Sequence, residues 1–199
     1  MKVTIETYTK EPLAAISTAA GTCYGNRSYS EKRIRNCFDK NHMSVFEQAS
    51  VQFYVEGISR SCSHQFVRHR LNSYCQESQR YCKVDTESDD WYVMPPAFEH
   101  DPEWAKWYRH HMSAVAQCYR LALYGGAKRE DARFLLPESC KTNLTVTMNI
   151  RNLYHFWDLR LDQAAQWEIR EVAAATLKAC QENPDLKLLA DLYVEKAVS

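Results

Sequence analysis

A segment near the middle of the chain concentrates side chains that bind anions and planar rings. Residues 68–81, RHRLNSYCQESQRY, contain three arginines, one histidine, two serines and two tyrosines. Guanidinium groups grip phosphate in a bidentate manner, serine hydroxyls and backbone N–H groups add further donors, and aromatic or imidazole faces stack on a ring. The composition of this segment therefore suits a planar, phosphorylated ligand.

Two other interpretations of this segment remain open on composition alone. A basic patch at the end of a helix can simply be solvated, and a basic, aromatic segment can bind single-stranded RNA by charge and stacking. The whole chain has 25 Lys plus Arg and 25 Asp plus Glu, so its formal net charge is zero. The chain therefore lacks the extended basic stripe that is expected of an RNA-binding protein. With zero net charge, it has no general attraction to nucleic acid or to an anionic membrane.

A second polar group follows a strand pattern that ends near residue 149. Asn149, Arg151 and His155 would project from the strand end and the next helical turn toward one ligand. Taken alone, His155 is better interpreted as a satisfied histidine on a helix face. Arg160 is equally well a positive charge at the C-terminus of a helix, where it meets the helix dipole.

The order of residues in the first segment resembles the R-H-R-x7-S signature of flavin-dependent thymidylate synthases, continued as S-x-R-Y. Arg68, His69 and Arg70, then seven residues, then Ser78 with the Arg-Tyr pair that follows it, match without a gap. Residues 149–160 resemble the family's N-x-R-x-L-x-[NH]-F-x-x-L-R block, which Gln166-Trp167-Glu168-Ile169 follows. Residues 42–47, HMSVFE, resemble H-x-[ST]-x-F-E. The resembling segments extend from about residue 42 to residue 170, with an unmatched middle at residues 85–130.

The resemblance implies a set of ligand-binding residues. FAD would be bound by Ser44, Arg68, His69, Arg70, Gln76, Asn149, Arg151 and His155. The substrate dUMP would be bound by Gln65, Arg68, Gln76, Glu77, Ser78, Gln79, Arg80, Arg133 and Arg160. Arg160 would be the catalytic residue, the arginine that polarises the uracil ring. The chain departs from the family at Cys75-Gln76, where Asn-Glu is frequent, so a role that needs a carboxylate at residue 76 is not supported.

The resemblance also implies a reaction and an assembly. The reaction is the reductive methylation of dUMP to dTMP, with methylenetetrahydrofolate as the one-carbon donor and NADPH-reduced FAD as the hydride source. The assembly is a homotetramer whose active sites are shared between subunits, since one small chain cannot easily enclose FAD, a nucleotide and a folate. A thymidylate synthase with a cysteine nucleophile is the rival enzyme class, but neither the length nor any segment resembles it.

The elements that must position these residues follow from apolar periodicity. Alternation predicts strands at residues 3–8, 51–56 and 143–149, with Gly57 ending the second, and a short edge strand at residues 91–94. Helical spacing predicts helices at residues 30–41, 58–69, 104–121, 129–136, 153–157, 163–180 and 186–194. Ser44 and Glu47 have the spacing of a capping box. We therefore expect a single α/β domain over residues 1–199, with helices packed on a small sheet and no Rossmann or P-loop glycine motif.

Composition also limits the class of protein. No apolar run reaches the roughly 18 residues that a transmembrane helix needs, and residues 1–10 do not have the form of a signal peptide, so we expect a cytoplasmic protein. The eight cysteines are scattered and form no C-x-x-C pair. Cys62-x-His64, followed by Cys75 and Cys82, has poor spacing for zinc. The sequence therefore predicts reduced thiols and no metal site.

Overall fold

The strands form one sheet in the computed structural model, which describes residues 1–198. Within this range the sheet has four strands: β1 (Lys2–Tyr8), β2 (Ser50–Ser59), β3 (Ser73–Gln76) and β4 (Lys141–Asn149), in the order β1-β2-β4-β3. β1 pairs antiparallel with β2, with Val3 opposite Val55 and Tyr8 opposite Val51. The register shifts between Ile5 and Thr7, where two steps along β1 correspond to one step along β2.

Alternation predicted β2 and β4 but not their full length. Buried residues alternate with half-buried ones from Val51 to Val55, and again along β4. The expectation that Gly57 ends β2 is wrong, because the strand continues to Ser59. Gly57 adopts a left-handed φ of 71°, which glycine does without steric cost, and its N–H donates to Asn143 Oδ1 at 2.9 Å.

Helices make up most of the remaining chain. They are α1 (Pro12–Thr22), α2 (Glu31–Asp39), α3 (Arg60–Phe66), α4 (Pro96–Glu99), α5 (Pro102–Tyr124), α6 (Arg129–Ala132), α7 (Ile150–Arg160), α8 (Trp167–Glu182) and α9 (Lys187–Val198). Short 3-10 helices occupy Met43–Gln48 and Arg133–Leu135. The α/β class predicted from the sequence is confirmed. Within residues 1–198, none of the helices combines the length and the apolar character that crossing a bilayer requires.

Helix ends show which local signals were reliable. Ser30 caps α2 as predicted, since its side chain accepts from the Arg33 N–H. The prediction of a capping box at Ser44 is wrong, because the segment is a 3-10 helix that begins after His42 and has no side-chain cap. The helix predicted over residues 58–69 is also too long, because α3 ends at Phe66 and the Arg-His-Arg motif lies in the turns that follow it.

Contacts divide the chain into two compact units. The first unit contains residues 1–56, 65–75 and the chain from residue 144, and the second contains residues 57–64 and 76–143. In the first unit, Phe38, Phe46 and Tyr154 form an edge-to-face aromatic cluster, and buried Trp157 donates to Thr176 Oγ1 at 3.0 Å. In the second unit, α5 packs on a separate core: Trp91, Tyr92, Tyr108, Met112, Ala116 and Cys140. A single domain over residues 1–199 stays a prediction.

Candidate active site

The Arg-His-Arg motif lines a cavity of about 630 Å³ in the first unit. We call it the RHR cavity; its lining residues are Arg68, His69, Arg70, Leu71, Asn72, Asn152, His155, Leu159 and Arg160. The chain after α3 supplies one wall through tight turns, in which the N–H of Arg68 donates to Gln65 O and the N–H of His69 to Phe66 O. Helix α7 supplies the other wall through Asn152, His155, Leu159 and Arg160. The structure thus brings together residues that lie about 90 positions apart in the sequence.

Two acceptors hold Arg160 in this cavity. Its Nε donates to His69 Nε2 at 3.0 Å, and its Nη2 donates to the backbone oxygen of Gln65 at 3.3 Å. Burial, together with the nearby Arg160 and His155, lowers the pKa of His69 to about 4. His69 is therefore neutral at neutral pH, and a neutral imidazole that accepts at Nε2 carries its proton on Nδ1.

Hydrogen bonds fix the loop that carries the motif. Tyr74 donates through its hydroxyl to Phe66 O at 2.8 Å and lies 3.2 Å from His69 O, while Asn152 Nδ2 donates to Leu71 O at 3.1 Å. Burial raises the pKa of Tyr74 to about 12, so this hydroxyl stays a donor at any ordinary pH. The backbone around His69 is consequently held by side chains rather than by regular secondary structure.

Substitution of Tyr74 by phenylalanine should therefore lower the free energy of unfolding by about 1–2 kcal/mol, because the backbone oxygens of Phe66 and His69 each lose one of two donors. Urea denaturation measures this difference. Tyr29→Phe is the matched control, since Tyr29 is exposed in the same unit. Equal stability of Tyr74→Phe and Tyr29→Phe would show that the loop does not depend on this hydroxyl.

The other residues assigned to FAD lie apart from the RHR cavity, except His155. Ser44 and Arg151 line a second cavity of the first unit, of about 400 Å³, together with His42, Cys23 and Tyr24. Arg151 forms an ion pair with Glu47 there. Asn149 caps α7, because its Oδ1 accepts from the Asn152 N–H at 2.9 Å. Its amide nitrogen is not used by this cap.

The second unit holds another group of the predicted residues around a cavity of about 430 Å³. We call it the Arg60 cavity; its lining residues are Arg60, His64, Gln79, Arg133, Phe134, Leu136, Pro137 and Glu138. Glu130 brings the predicted Arg80 and Arg133 together, because its carboxylate is 3.2 Å from Arg80 Nε and its backbone oxygen accepts from Arg133 Nε at 3.2 Å. No hydrogen bond among residues 1–198 engages the terminal nitrogens of either guanidinium group.

Gln76, Glu77 and Ser78 are held by neighbours in the second unit. Gln76 Nε2 donates to Ser63 Oγ at 2.9 Å and lies 3.2 Å from Thr142 Oγ1. Glu77 accepts from Asn143 Nδ2 at 2.8 Å, and Ser78 Oγ accepts from the Arg80 N–H at 3.3 Å. The Ser78 hydroxyl thus occupies a turn, and no hydrogen bond among residues 1–198 links it to a general base. This geometry favours ligand binding over a nucleophilic role.

Arg60 is a candidate binding residue that the sequence did not reveal. Its Nη2 donates to Glu77 O at 2.8 Å, but its Nε is buried and has no hydrogen-bond partner in the part of the chain that the structure describes. Burial is the main cause that lowers its pKa; the positive charge of Arg133 also lowers it, while the carboxylates of Glu77 and Glu138 raise it. Two arginines that share a cavity and repel one another indicate an anion site. The sequence signal was missing because Arg60 belongs to no motif.

These features define an α/β protein with sites for anionic, planar ligands. Guanidinium, imidazole and amide groups line the cavities, and within residues 1–198 no group of three or more His, Cys, Asp or Glu side chains is arranged to hold a metal ion. A family model described as thymidylate synthase complementing protein matches residues 4–183. The chain belongs to the flavin-dependent thymidylate synthase family.

Individual relatives and a solved structure agree with this membership. The flavin-dependent thymidylate synthase of Pyrococcus furiosus is 39% identical, over 94% of this chain and 82% of that protein. The one from Geobacter sulfurreducens is 40% identical, over 89% of this chain and 81% of that protein. The crystal structure of the Helicobacter pylori flavin-dependent thymidylate synthase, complexed with FAD and dUMP, superposes with a TM-score of 0.79 at 25% identity. It covers 95% of this chain and 97% of its own.

Proposed function

We propose that this chain is a flavin-dependent thymidylate synthase, which converts dUMP to dTMP with methylenetetrahydrofolate as one-carbon donor and NADPH as reductant of FAD. Family membership supports the activity. The observation that carries it is the RHR cavity, where Arg160 is held between His69 and Gln65 with part of its guanidinium left for a ligand. The zero net charge of the chain disfavours the alternative function, binding of single-stranded RNA.

The RHR cavity suits FAD by its chemistry. Arg68 and Arg70 are exposed, and among residues 1–198 no ion pair engages their guanidinium groups, so they are available to a pyrophosphate. Leu71 and Leu159 give apolar surface for a ring, and the buried Oδ1 of Asn72 has no partner in the described chain and can accept from a ligand N–H. When bound, FAD supplies the hydride; the protein residues bind and orient it.

The chain's own residues account for binding and activating the nucleotide. In the Arg60 cavity, Arg60 and Arg133 would bind the dianionic 5′-phosphate. Arg80, which pairs with Glu130 next to Arg133, and Ser78 would be further donors. Arg160 would face N3 and the O2 side of uracil, where a fixed cation stabilises the negative charge that builds on the ring as C5 attacks the one-carbon unit. Gln65, Gln76, Glu77 and Gln79 remain the other residues assigned to dUMP.

We also propose that the enzyme is a cytoplasmic homotetramer in which neighbouring subunits share each active site. Its partners would then be dUMP, folate and NADPH, with neither nucleic acid nor membrane among them. Sharing means that the residues that contact one ligand need not belong to one chain. Light scattering should accordingly give a mass four times the 23.2 kDa of the chain, and a monomer mass would remove this part of the proposal.

Two measurements test the activity. The purified protein should show the absorption bands of a flavin, and it should release tritium from dUMP labelled at C5 when NADPH and methylenetetrahydrofolate are present. Blocking the thiols should leave this release intact, which excludes a cysteine nucleophile. A colourless protein that binds oligonucleotides with an affinity that falls steeply with salt would instead support the RNA-binding alternative.

Replacement of Arg60 by glutamine should raise the KM for dUMP about tenfold while FAD content stays unchanged. The reason is the loss of one charge-assisted hydrogen bond to phosphate, worth about 1.5 kcal/mol. Steady-state kinetics with varied dUMP measure the change. Arg109→Gln, an exposed arginine of the same unit on α5, is the matched control. If both variants have the same KM, Arg60 is a structural group that only binds the Glu77 carbonyl.

A further inference from the structure

We infer that His69 positions Arg160 for the reaction, beyond the cofactor contact that the resemblance assigns to it. This inference rests on the proposed function, since the action of Arg160 on uracil is part of that proposal. The direct observation is the 3.0 Å hydrogen bond from Arg160 Nε to His69 Nε2. The two residues lie in different elements, and no pattern in the sequence links them.

The protonation state of His69 makes it a suitable acceptor. A neutral imidazole offers one lone pair, and here that lone pair faces a guanidinium that always carries its charge. A protonated imidazole would have no lone pair and would repel Arg160. Half-burial of the ring keeps its pKa far below neutrality, so the bond persists under working conditions.

Packing makes the His69 ring a rigid support. The ring lies edge-on to Phe156, with centroids 5.1 Å apart and an interplanar angle of 81°. Phe156 is fully buried and stacks on Phe66 at 4.8 Å. Phe156 and Arg160 are four residues apart on α7, so they occupy the same face of the helix on successive turns. Thus one helix carries both the support for the imidazole and the arginine that bonds to it.

The pair of bonds fixes the plane of the Arg160 guanidinium. His69 holds Nε and the Gln65 backbone oxygen holds Nη2, so two of the three nitrogens are engaged on fixed groups. Nη1 makes no hydrogen bond with the described residues and remains for a ligand. Without His69, a single 3.3 Å bond would remain, and the fork could rotate about the side-chain torsions. Misplacement of a catalytic group lowers turnover more than it lowers binding.

Asparagine and glutamine at residue 69 separate this role from a general structural one. The amide of Gln reaches the place of Nε2 and can accept from Arg160, whereas the shorter Asn amide matches only Nδ1. Rates are normalised to bound flavin, which removes effects on cofactor content. His69→Asn should then lower kcat about tenfold with little change in the KM for dUMP, and His69→Gln should recover most of the loss.

A double-mutant cycle and crystal structures complete the test. In an Arg160→Lys background, where no Nε–H remains in this place, His69→Asn should cost little more. Crystal structures should show the Arg160 guanidinium displaced in the His69→Asn variant and unmoved in the His69→Gln variant. This readout does not need the proposed activity. Equal kcat per flavin for wild type and His69→Asn, additive losses in the cycle, or an unmoved guanidinium in His69→Asn would overturn the inference. An inactive wild type with a displaced guanidinium in His69→Asn would overturn the proposed function alone.

Discussion

Replacement of Arg160 by alanine should leave a folded, yellow protein whose thymidylate production is about 100- to 1000-fold slower than that of the wild type. Methyl transfer needs electron density at C5 of uracil, and Arg160 is the preorganised cation that would stabilise the charge on the ring. Removal of one such preorganised donor typically has an effect of this size on turnover. NADPH should still reduce the flavin, because the assigned role of Arg160 concerns the nucleotide.

Lysine at residue 160 should restore only part of the rate. It keeps the charge but lacks the planar fork that His69 and Gln65 hold through two different nitrogens. Arg27→Ala serves as the control, since Arg27 is exposed in the same unit. Single-turnover product formation, measured after reduction of the flavin, gives the rate. A rate near that of the wild type would show that Arg160 is only a positive charge at the end of α7, and loss of flavin from Arg160→Ala would place Arg160 with the cofactor instead.

Sequence patterns predicted those elements whose signal is local. The alternating residues of β2 and β4 and the serine cap of α2 report burial or capping within a few positions. Where β2 continues past Gly57, the Gly57 N–H donates to the side chain of Asn143, which is 86 positions away. β3 alternates only between exposed and half-buried residues, so it carries no strong apolar signal. Local pattern reasoning cannot detect either feature.

In the candidate site, too, local features could be predicted from the sequence and long-range contacts could not. The order of Arg68, His69 and Arg70 is visible in the sequence and points to the family by resemblance. The pairing of His69 with Arg160 spans 91 positions, and it appears only when the turn after α3 meets α7. Arg60 has no motif around it and becomes a candidate only through its shared cavity with Arg133 and its buried Nε, which has no hydrogen-bond partner among residues 1–198.

The chain has Gln76 where glutamate is frequent in the family, and the surroundings of this residue give a physical explanation. Ser63 donates its hydroxyl proton to the Arg60 backbone oxygen at 2.9 Å, so its lone pairs face Gln76. A glutamine amide can donate to those lone pairs, whereas a carboxylate can only accept. Glutamine therefore fits this arrangement better than glutamate would. No hydrogen bond among residues 1–198 engages its Oε1, so Gln76 can still accept a hydrogen bond but cannot supply a negative charge.

Replacement of Arg70 by alanine should weaken FAD binding about ten- to hundredfold without a comparable loss of stability. The guanidinium is exposed and lines the RHR cavity, so its removal leaves no buried group unpaired. Loss of one charge-assisted hydrogen bond to the cofactor is worth about 1.5 to 3 kcal/mol, which corresponds to that range of affinity. Exposed substitutions of this kind usually change the free energy of unfolding by no more than about 0.5 kcal/mol.

Flavin content after dialysis and FAD titration of the apoprotein measure the effect of Arg70→Ala on affinity, and urea denaturation of the apoprotein measures its stability. Arg27→Ala is again the matched control, because it removes an exposed arginine of the same unit that lines none of the cavities described above. Since Arg160 is held by His69 and Gln65 and not by Arg70, turnover per bound flavin should stay near the wild-type value. A variant that keeps its full flavin after dialysis would remove Arg70 from the cofactor site. A variant that binds FAD normally but turns over slowly would place Arg70 with the substrate instead.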